Sequence, residues 1–293
     1  MIDEMRNVAF LAALILNFYG AHASASDCAP RFTQSSQTVT VSATDIGVGG
    51  EARENFQIRV QNEGKGECSA TLRLARQGTS TAIRYVLTSG GQFVEVLPAD
   101  LGVPTARSDV FVPGVPSGAN GRAVPFRLTF ATEWGLESGQ QREEILVSLV
   151  DEQGVTIDTM SLYFDITVPS AVDLRIVGAT GANAIAEVDL GDLEADRVNV
   201  SDPFAVRIWS TSPYSVSFQS EGNGALIHRD GASRIAYSLR MNGTKVDLTG
   251  IPRSFGRATG PLGEAHPLLI EVQPFIAEAG DYGDRISVTV TAG

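Results

Sequence analysis

Strict alternation over its closing stretch constrains this chain more than any other feature. Gly280 to Gly293 reads G-D-Y-G-D-R-I-S-V-T-V-T-A-G, with Ile286, Val288, Val290 and Ala292 alternating with Ser287, Thr289 and Thr291. A period of two puts the four apolar side chains on one face of a strand and the hydroxyls on the other. Such a strand belongs to a layered β structure, and each of its edges needs a neighbour or a protecting device. Gly293 is the last residue, so the neighbour for one edge is expected to come from elsewhere.

Residues 1–25 read as a signal peptide. Arg6 precedes the apolar run Val8 to Leu16, and Ala23-Ser24-Ala25 is a small-x-small site for signal peptidase. Asp3 and Glu4 interrupt the basic start, whereas a start at Met5 leaves Arg6 as the only charge before the run. The run is far shorter than the ~20 apolar residues that span a bilayer. Export through the Sec pathway is expected, with the periplasm as transit and the cell surface as destination.

The remaining residues, 26–293, carry a net charge of −11 against −12 for the whole chain, and Lys65 and Lys245 are their only lysines. Nucleic acid and anionic membranes attract clustered positive charge, so neither is an expected partner. Cys28 and Cys68 are the only cysteines, and an even pair in an exported chain is expected to bond. Closing a loop of about 41 residues would contribute ~4 kcal/mol in the chain-entropy model, less any native strain. The alternative, a zinc site, needs three or four closely spaced ligands, and only His228 and His266 remain to join the cysteines.

Short runs rich in β-formers fill the chain: Thr38 to Val41, Phe56 to Val60, Ala70 to Leu74, Ile83 to Leu87, Phe93 to Leu97 and Phe126 to Phe130. Glu144 to Val150, Gln153-Gly154 and Val155 to Val168 read as a hairpin whose second arm aligns Leu162, Phe164, Ile166 and Val168 on one face. Pro169-Ser170 punctuates that arm, because proline removes a ladder donor. A new series follows: Val172 to Val177, Glu187 to Leu193, Val206 to Trp209, Tyr214 to Phe218, Ile235 to Met241, Lys245 to Leu248 and Leu268 to Val272. Asn242-Gly243 predicts a tight hairpin, since both central positions of a type I′ turn need positive φ. The expected fold is all-β: an N-terminal β-sandwich over 26–168 and a second over 170–293. The first series ends on a strand that follows its hairpin and the second does not, so the first sandwich is expected to be complete and the second not.

The second series also carries a family likeness. Its G-x-Y-x-D ending, Asp189-Leu190-Gly191-Asp192-Leu193, Phe204 to Trp209, Ser212-Pro213-Tyr214-Ser215-Val216 and Ile235 to Asn242 stand in an order that resembles the spore coat protein U-like pilin domains of archaic chaperone–usher pili. The resemblance covers 170–293, less than half the chain. It implies an immunoglobulin-like sandwich without its last strand. It also implies a periplasmic chaperone that lends a strand, an outer-membrane usher, and an adjacent subunit whose N-terminal extension replaces the chaperone. Many such domains hold an internal disulfide, and residues 170–293 contain no cysteine.

Catalytic readings find little support. No G-x-S-x-G elbow exists, His228 lies where a strand enters a turn, and His266 precedes Pro267. Gly47-Val48-Gly49-Gly50 is followed by a strand-like run rather than the helix a dinucleotide loop requires. Glu133, Glu137, Glu143 and Glu144 surround Trp134, but a glycosidase pair is defined by distance in space. Asp151, Asp281 and Asp284 lack the ligand spacing of a calcium loop. No cofactor, metal site or enzymatic activity is expected.

Two stretches read as recognition surface: proline-rich Leu101 to Pro116, with Leu101, Val103, Val110, Phe111 and Val112, and the apolar turn Trp134-Gly135-Leu136. Packing as irregular edge strands within their own domain is the alternative for both. The expected function is a fimbrial subunit, the two-domain tip adhesin of a chaperone–usher pilus, attaching to an unidentified surface or receptor or building biofilm. Only Ser26 and Asp27 would precede Cys28 after cleavage, too little for a donor strand, which argues for the distal position. The rival is a secreted carbohydrate-binding or envelope β-sandwich that folds without partners. Ile286, Val288, Val290 and Ala292 are the expected face beside the donated strand.

Overall fold

A computed structural model describes residues 28–77, 84–98, 105, 107–182 and 185–293, all of them strands, turns and loops without a helix. The leader and the positions of Leu101 and Val103 lie outside the described residues. Two five-stranded sheets form the first sandwich. One runs Pro30–Phe32, Glu51–Asn62, Gly118–Ala131, Tyr85–Ser89, Gln92–Val94; the other runs Ser36–Ser42, Thr156–Val168, Gly139–Val150, Cys68–Gln77, Asp109–Val115. Alternation drives the assembly: Ile58, Leu72, Leu74, Leu128, Ile145, Leu149, Leu162, Phe164 and Ile166 all point between the sheets and are fully buried. Phe56 stacks on Phe126 at 5.3 Å, and Phe164 meets both Phe56 and Tyr85 edge-on. Cys28 and Cys68 are bonded, their Cα atoms 5.4 Å apart across a separation of 40 residues.

The leading segment of this sandwich serves both sheets. Pro30–Phe32 pairs with Glu51–Asn62, and Ser36–Ser42 crosses over to pair in parallel with Thr156–Val168, Val39 opposite Phe164. Thr156–Val168 also pairs antiparallel with Gly139–Val150, so both edges of the sandwich's last strand are covered from within. One polar bridge crosses the core: Tyr85 of one sheet donates to Glu143 Oε1 of the other at 3.0 Å, and Arg76 Nε lies 2.9 Å from the same oxygen as an ion pair. Burial raises the Glu143 carboxyl against the opposing pull of Arg76.

The second core is built from Val206, Ile208, Leu239, Met241, Leu268 and Val272 against Tyr214, Val216 and Phe218. Its larger sheet runs Val172–Val177, Phe204–Ser210, Glu264–Val272, Arg234–Met241, Ala225–His228, Tyr282–Gly283; Asn199–Val200 adds to Glu264–Val272, and Thr244–Lys245 to Arg234–Met241. Facing it are three strands, Arg253–Phe255, Tyr214–Ser220 and Ile286–Ala292. The Asn242-Gly243 turn forms as read, with φ of 53° and 76°. Two expected strands of this sandwich are cut short, as Phe93 to Leu97 is in the first, where the strand is Gln92–Val94. Glu187 to Leu193 is strand only as Ile185–Glu187, because Asp189 Oδ1 accepts the Gly191 amide (2.8 Å) and turns the chain. Lys245 to Leu248 keeps only Thr244–Lys245.

The sandwiches meet around Thr211, which is 1% exposed. Its hydroxyl donates to Pro169 O at 2.8 Å and accepts the Ala171 amide at 2.9 Å, while its carbonyl accepts the Ser138 amide of the first sandwich.

Candidate functional site

The closing strand Ile286–Ala292 pairs along one edge only, antiparallel to Tyr214–Ser220, with Val288 opposite Phe218 and Val290 opposite Val216. Its other edge has no strand among the described residues. Across the sandwich from that edge lies the opening strand Val172–Val177, which pairs only with Phe204–Ser210. Both border strands alternate half-buried and exposed residues: Ile286, Val288, Val290 and Ala292 on one, Val172, Leu174 and Ile176 on the other. The equivalent strand of the first sandwich is fully packed, Leu162, Phe164 and Ile166 each 0% exposed. Instead of crossing to the facing sheet, the chain after Val177 forms a hairpin, Thr180–Ala182 with Ile185–Glu187, that pairs only with itself. The second sandwich therefore presents an open border of seven half-buried side chains and, among the described residues, a row of unpaired backbone groups.

The G-x-Y-x-D segment fixes where this strand begins. Asp284 Oδ2 accepts hydrogen bonds from Ser220 and Tyr237, each 2.5 Å, and Oδ1 accepts from the Gly222 amide at 2.7 Å. Burial first, then the bond to Asp284, pushes the Tyr237 phenol up, so it remains a donor at neutral pH. Tyr282 donates to Glu278 O at 2.8 Å and meets the His228 ring edge-on at 5.0 Å. That ring occupies the space beside Gly280, where a Cβ would lie 2.1 Å from His228 Nε2. His228 Nδ1 contacts Asp230 Oδ1 at 2.5 Å. The low-complexity motif thus encodes an anchor, and the residues answering it, Ser220, Tyr237 and His228, are scattered over strands that sequence spacing does not bring together.

A second polar cluster supports the far end of the strand. His266, 1% exposed, has Nε2 2.9 Å from the Tyr214 hydroxyl and Nδ1 3.1 Å from Asn242 Nδ2; Tyr214 also donates to Glu264 at 3.2 Å. Phe255 stacks on Tyr214 at 4.8 Å, and Tyr214 pairs with Ala292. Burial pushes the His266 imidazole below its usual 6.5, with Glu264 opposing and Arg253 reinforcing. A base held neutral in the fold stabilises it above the unfolded-state value and loses that contribution as pH falls below it. Melting temperature is expected to decline as pH drops through about 6.5, and His266→Gln is expected to flatten that decline. Equal slopes in the two proteins would refute a role for His266.

The expected recognition residues do not form one surface. Asp109–Val115 is an edge strand on Cys68–Gln77, bulged between Val112 and Val115, which buries Val112 (1% exposed) and packs Val110 on the core. Neither belongs to an exposed loop; Phe111, 65% exposed, is the member that reaches solvent. Leu136 packs on the first core and Trp134 is half-buried. Gly135 between them abuts the second sandwich, where an added Cβ would lie 2.7 Å from the Pro261 ring. This turn sits at the junction between the sandwiches. Of the acidic group around Trp134, Glu143 belongs to the inter-sheet bridge and Glu144 accepts from Ser161 and Tyr163. Among the described residues, no three His, Cys, Asp or Glu side chains are grouped to hold a metal.

No protein-family model matches the chain, and no curated protein matches it in sequence. Solved structures do overlap with it. CfaE, the adhesive subunit of CFA/I fimbria of enterotoxigenic Escherichia coli, is 13% identical, with 88% of this chain and 92% of that chain covered at a TM-score of 0.45. A chain of the CsuC–CsuE chaperone–tip adhesion subunit pre-assembly complex of Acinetobacter baumannii archaic chaperone-usher pili is 14% identical, with coverage of 88% and 98% and a TM-score of 0.38. The CupB6 tip adhesin of Pseudomonas aeruginosa is 9% identical, with coverage of 89% and 93% and a TM-score of 0.35. Likeness at this level carries no argument about activity.

Proposed function

We propose that this protein is an exported fimbrial subunit whose second sandwich accepts a strand from a partner: a periplasmic chaperone during assembly and the adjacent subunit in the fibre. The observation that supports the reading is the contrast between the two sandwiches. In the first, Ser36–Ser42 lies in parallel beside the last strand Thr156–Val168 and completes the layer. In the second, the edge of Ile286–Ala292 that would receive such a strand is open, above side chains that remain half-buried. An incoming strand with alternating apolar residues would satisfy the open edge and cover Val288, Val290, Leu174 and Ile176 in one step, an instance of strand addition. Each Å² of apolar surface so covered contributes ~25 cal/mol, less the cost of ordering the donor.

The distal position in the fibre, with the first sandwich as the adhesive domain, is part of the same reading. Residues 28–42 are committed to the first sandwich through the disulfide and two sheet pairings, so they do not serve as a donor. The usher would thread the subunit outward, and residues 170–293 would act as the pilin-like domain of the spore coat protein U type. The test is expression of the full chain with and without a coexpressed pilus chaperone. A stoichiometric complex with the chaperone, and aggregation or degradation without it, is expected; a soluble, cooperatively folding monomer that ignores the chaperone would sink the reading and favour a self-sufficient envelope protein.

A further inference from the structure

We propose that a cleft on the outer face of the first sandwich, between Phe111 and the turn after Val150, binds a neutral pyranose. This deepens the adhesive reading of that domain and rests on it. The cleft, about 450 Å³, lies within the ~300–1,000 Å³ range of small-molecule sites. Its floor is Thr71, paired on one side with Phe111 and on the other with Val150. Val150, 2% exposed, follows the inward-facing Leu149 and so belongs to the outer face.

Both walls are held in place before any ligand arrives. Asp151 Oδ1 accepts the amides of Gln153 and Val155, at 2.9 and 2.8 Å, which sets the turn. Opposite, Arg73 Nε and Nη2 donate in parallel to the two oxygens of Asp109 at 2.7 and 2.8 Å. That fork orders the wall beneath Phe111, the most exposed phenylalanine among the described residues. Walls ordered in advance lower the entropy lost on binding.

The ligand class follows from charge and shape. Among the described residues lining the cleft, Arg73 is the one cation against three carboxylates, Asp109, Asp151 and Glu152, so the site is net negative and disfavours an anion. Glu152, exposed and without a hydrogen bond or ion pair among the described residues, and Asp151 make the opposite wall acidic. An anionic sugar is therefore repelled. A neutral pyranose suits both walls: the C–H face of its ring lies against the negative face of Phe111, and its hydroxyls donate to Glu152 and to Asp151.

The test titrates the full chain, as its chaperone complex, with cellobiose, lactose, N,N′-diacetylchitobiose and sialyllactose, read by saturation-transfer NMR at millimolar ligand. At least one neutral disaccharide is expected to receive saturation on the C–H protons of one ring face. Phe111→Ala is expected to weaken it at least tenfold, Phe111→Tyr to retain it, and Glu152→Gln to weaken it to a lesser degree. Absence of signal from all the neutral sugars, sialyllactose binding as well as lactose, or affinity indifferent to Phe111→Ala would each overturn the proposal. A negative result with the chaperone complex intact removes this site alone and leaves the strand-acceptor reading standing.

Discussion

A chain carrying Val288→Asp and Val290→Asp is expected to lose the chaperone complex, with recovery falling at least tenfold. Both side chains face inward from the closing strand, opposite Phe218 and Val216, both of which are buried. An incoming strand would complete their burial, and two carboxylates placed there without a cation would each cost several kcal/mol. The control lies on the same strand: Ser287→Asp and Thr289→Asp add the same charge to the exposed face and are expected to leave recovery within about twofold, since surface substitutions rarely exceed ~0.5 kcal/mol. Amide exchange supplies a reading independent of yield. In the wild-type complex, amides of residues 286–292 that face the open edge should be protected as well as those that pair with Tyr214–Ser220. Fast exchange along that edge, or a complex that tolerates both aspartates, would refute strand addition there.

Asp284→Ala should lower the stability of the second sandwich by about 3 kcal/mol, because hydrogen bonds to a charged group are worth ~1.5–3 kcal/mol and two buried hydroxyls lose their acceptor. Those hydroxyls belong to Ser220 and Tyr237, and the Gly222 amide loses its partner as well. The first sandwich has its own core and disulfide, so the loss should appear in one unfolding transition of the chaperone-bound chain and spare the other. Denaturant unfolding followed separately through each sandwich distinguishes the outcomes. A single transition that shifts as a whole would show that the junction around Thr211 couples the two halves, and an unshifted second transition would refute the anchoring role of Asp284. Because Asp284 lies two residues before the closing strand, its loss is also expected to reduce chaperone capture, less severely than the paired aspartates.

Local pattern was enough for much of this architecture. Alternation in Thr156–Val168 specified which side chains are buried, the Asn242-Gly243 pair specified its turn, and the two cysteines specified their bond. These features depend on residues close in the chain or on there being one way to combine them. The period-2 pattern of Ile286–Ala292 likewise set the inward face of the closing strand. Pattern reading failed where a single side chain redirects the backbone, as Asp189 does in cutting short the expected strand from Glu187. For Leu101 to Pro116 the pattern left an exposed loop and an irregular edge strand both open; Asp109–Val115 is the edge strand, and a bulge between Val112 and Val115, three residues apart, turns both inward.

What tertiary structure alone decided was pairing between distant segments. A strand's sequence carries its faces but not its neighbours, because backbone donors and acceptors are the same for every residue and edges are completed by whichever segment the fold delivers. The parallel alignment of Ser36–Ser42 beside Thr156–Val168 joins segments more than a hundred residues apart, and nothing in either stretch announces it. The same holds for Asp284 with Ser220 and Tyr237, and for Phe111 set over Thr71 near the turn at Asp151. The alternating residues of Ile286–Ala292 therefore called for a buried face, while the open edge beside them, and the contrast with the covered edge of the first sandwich, exist only in the assembled sheets.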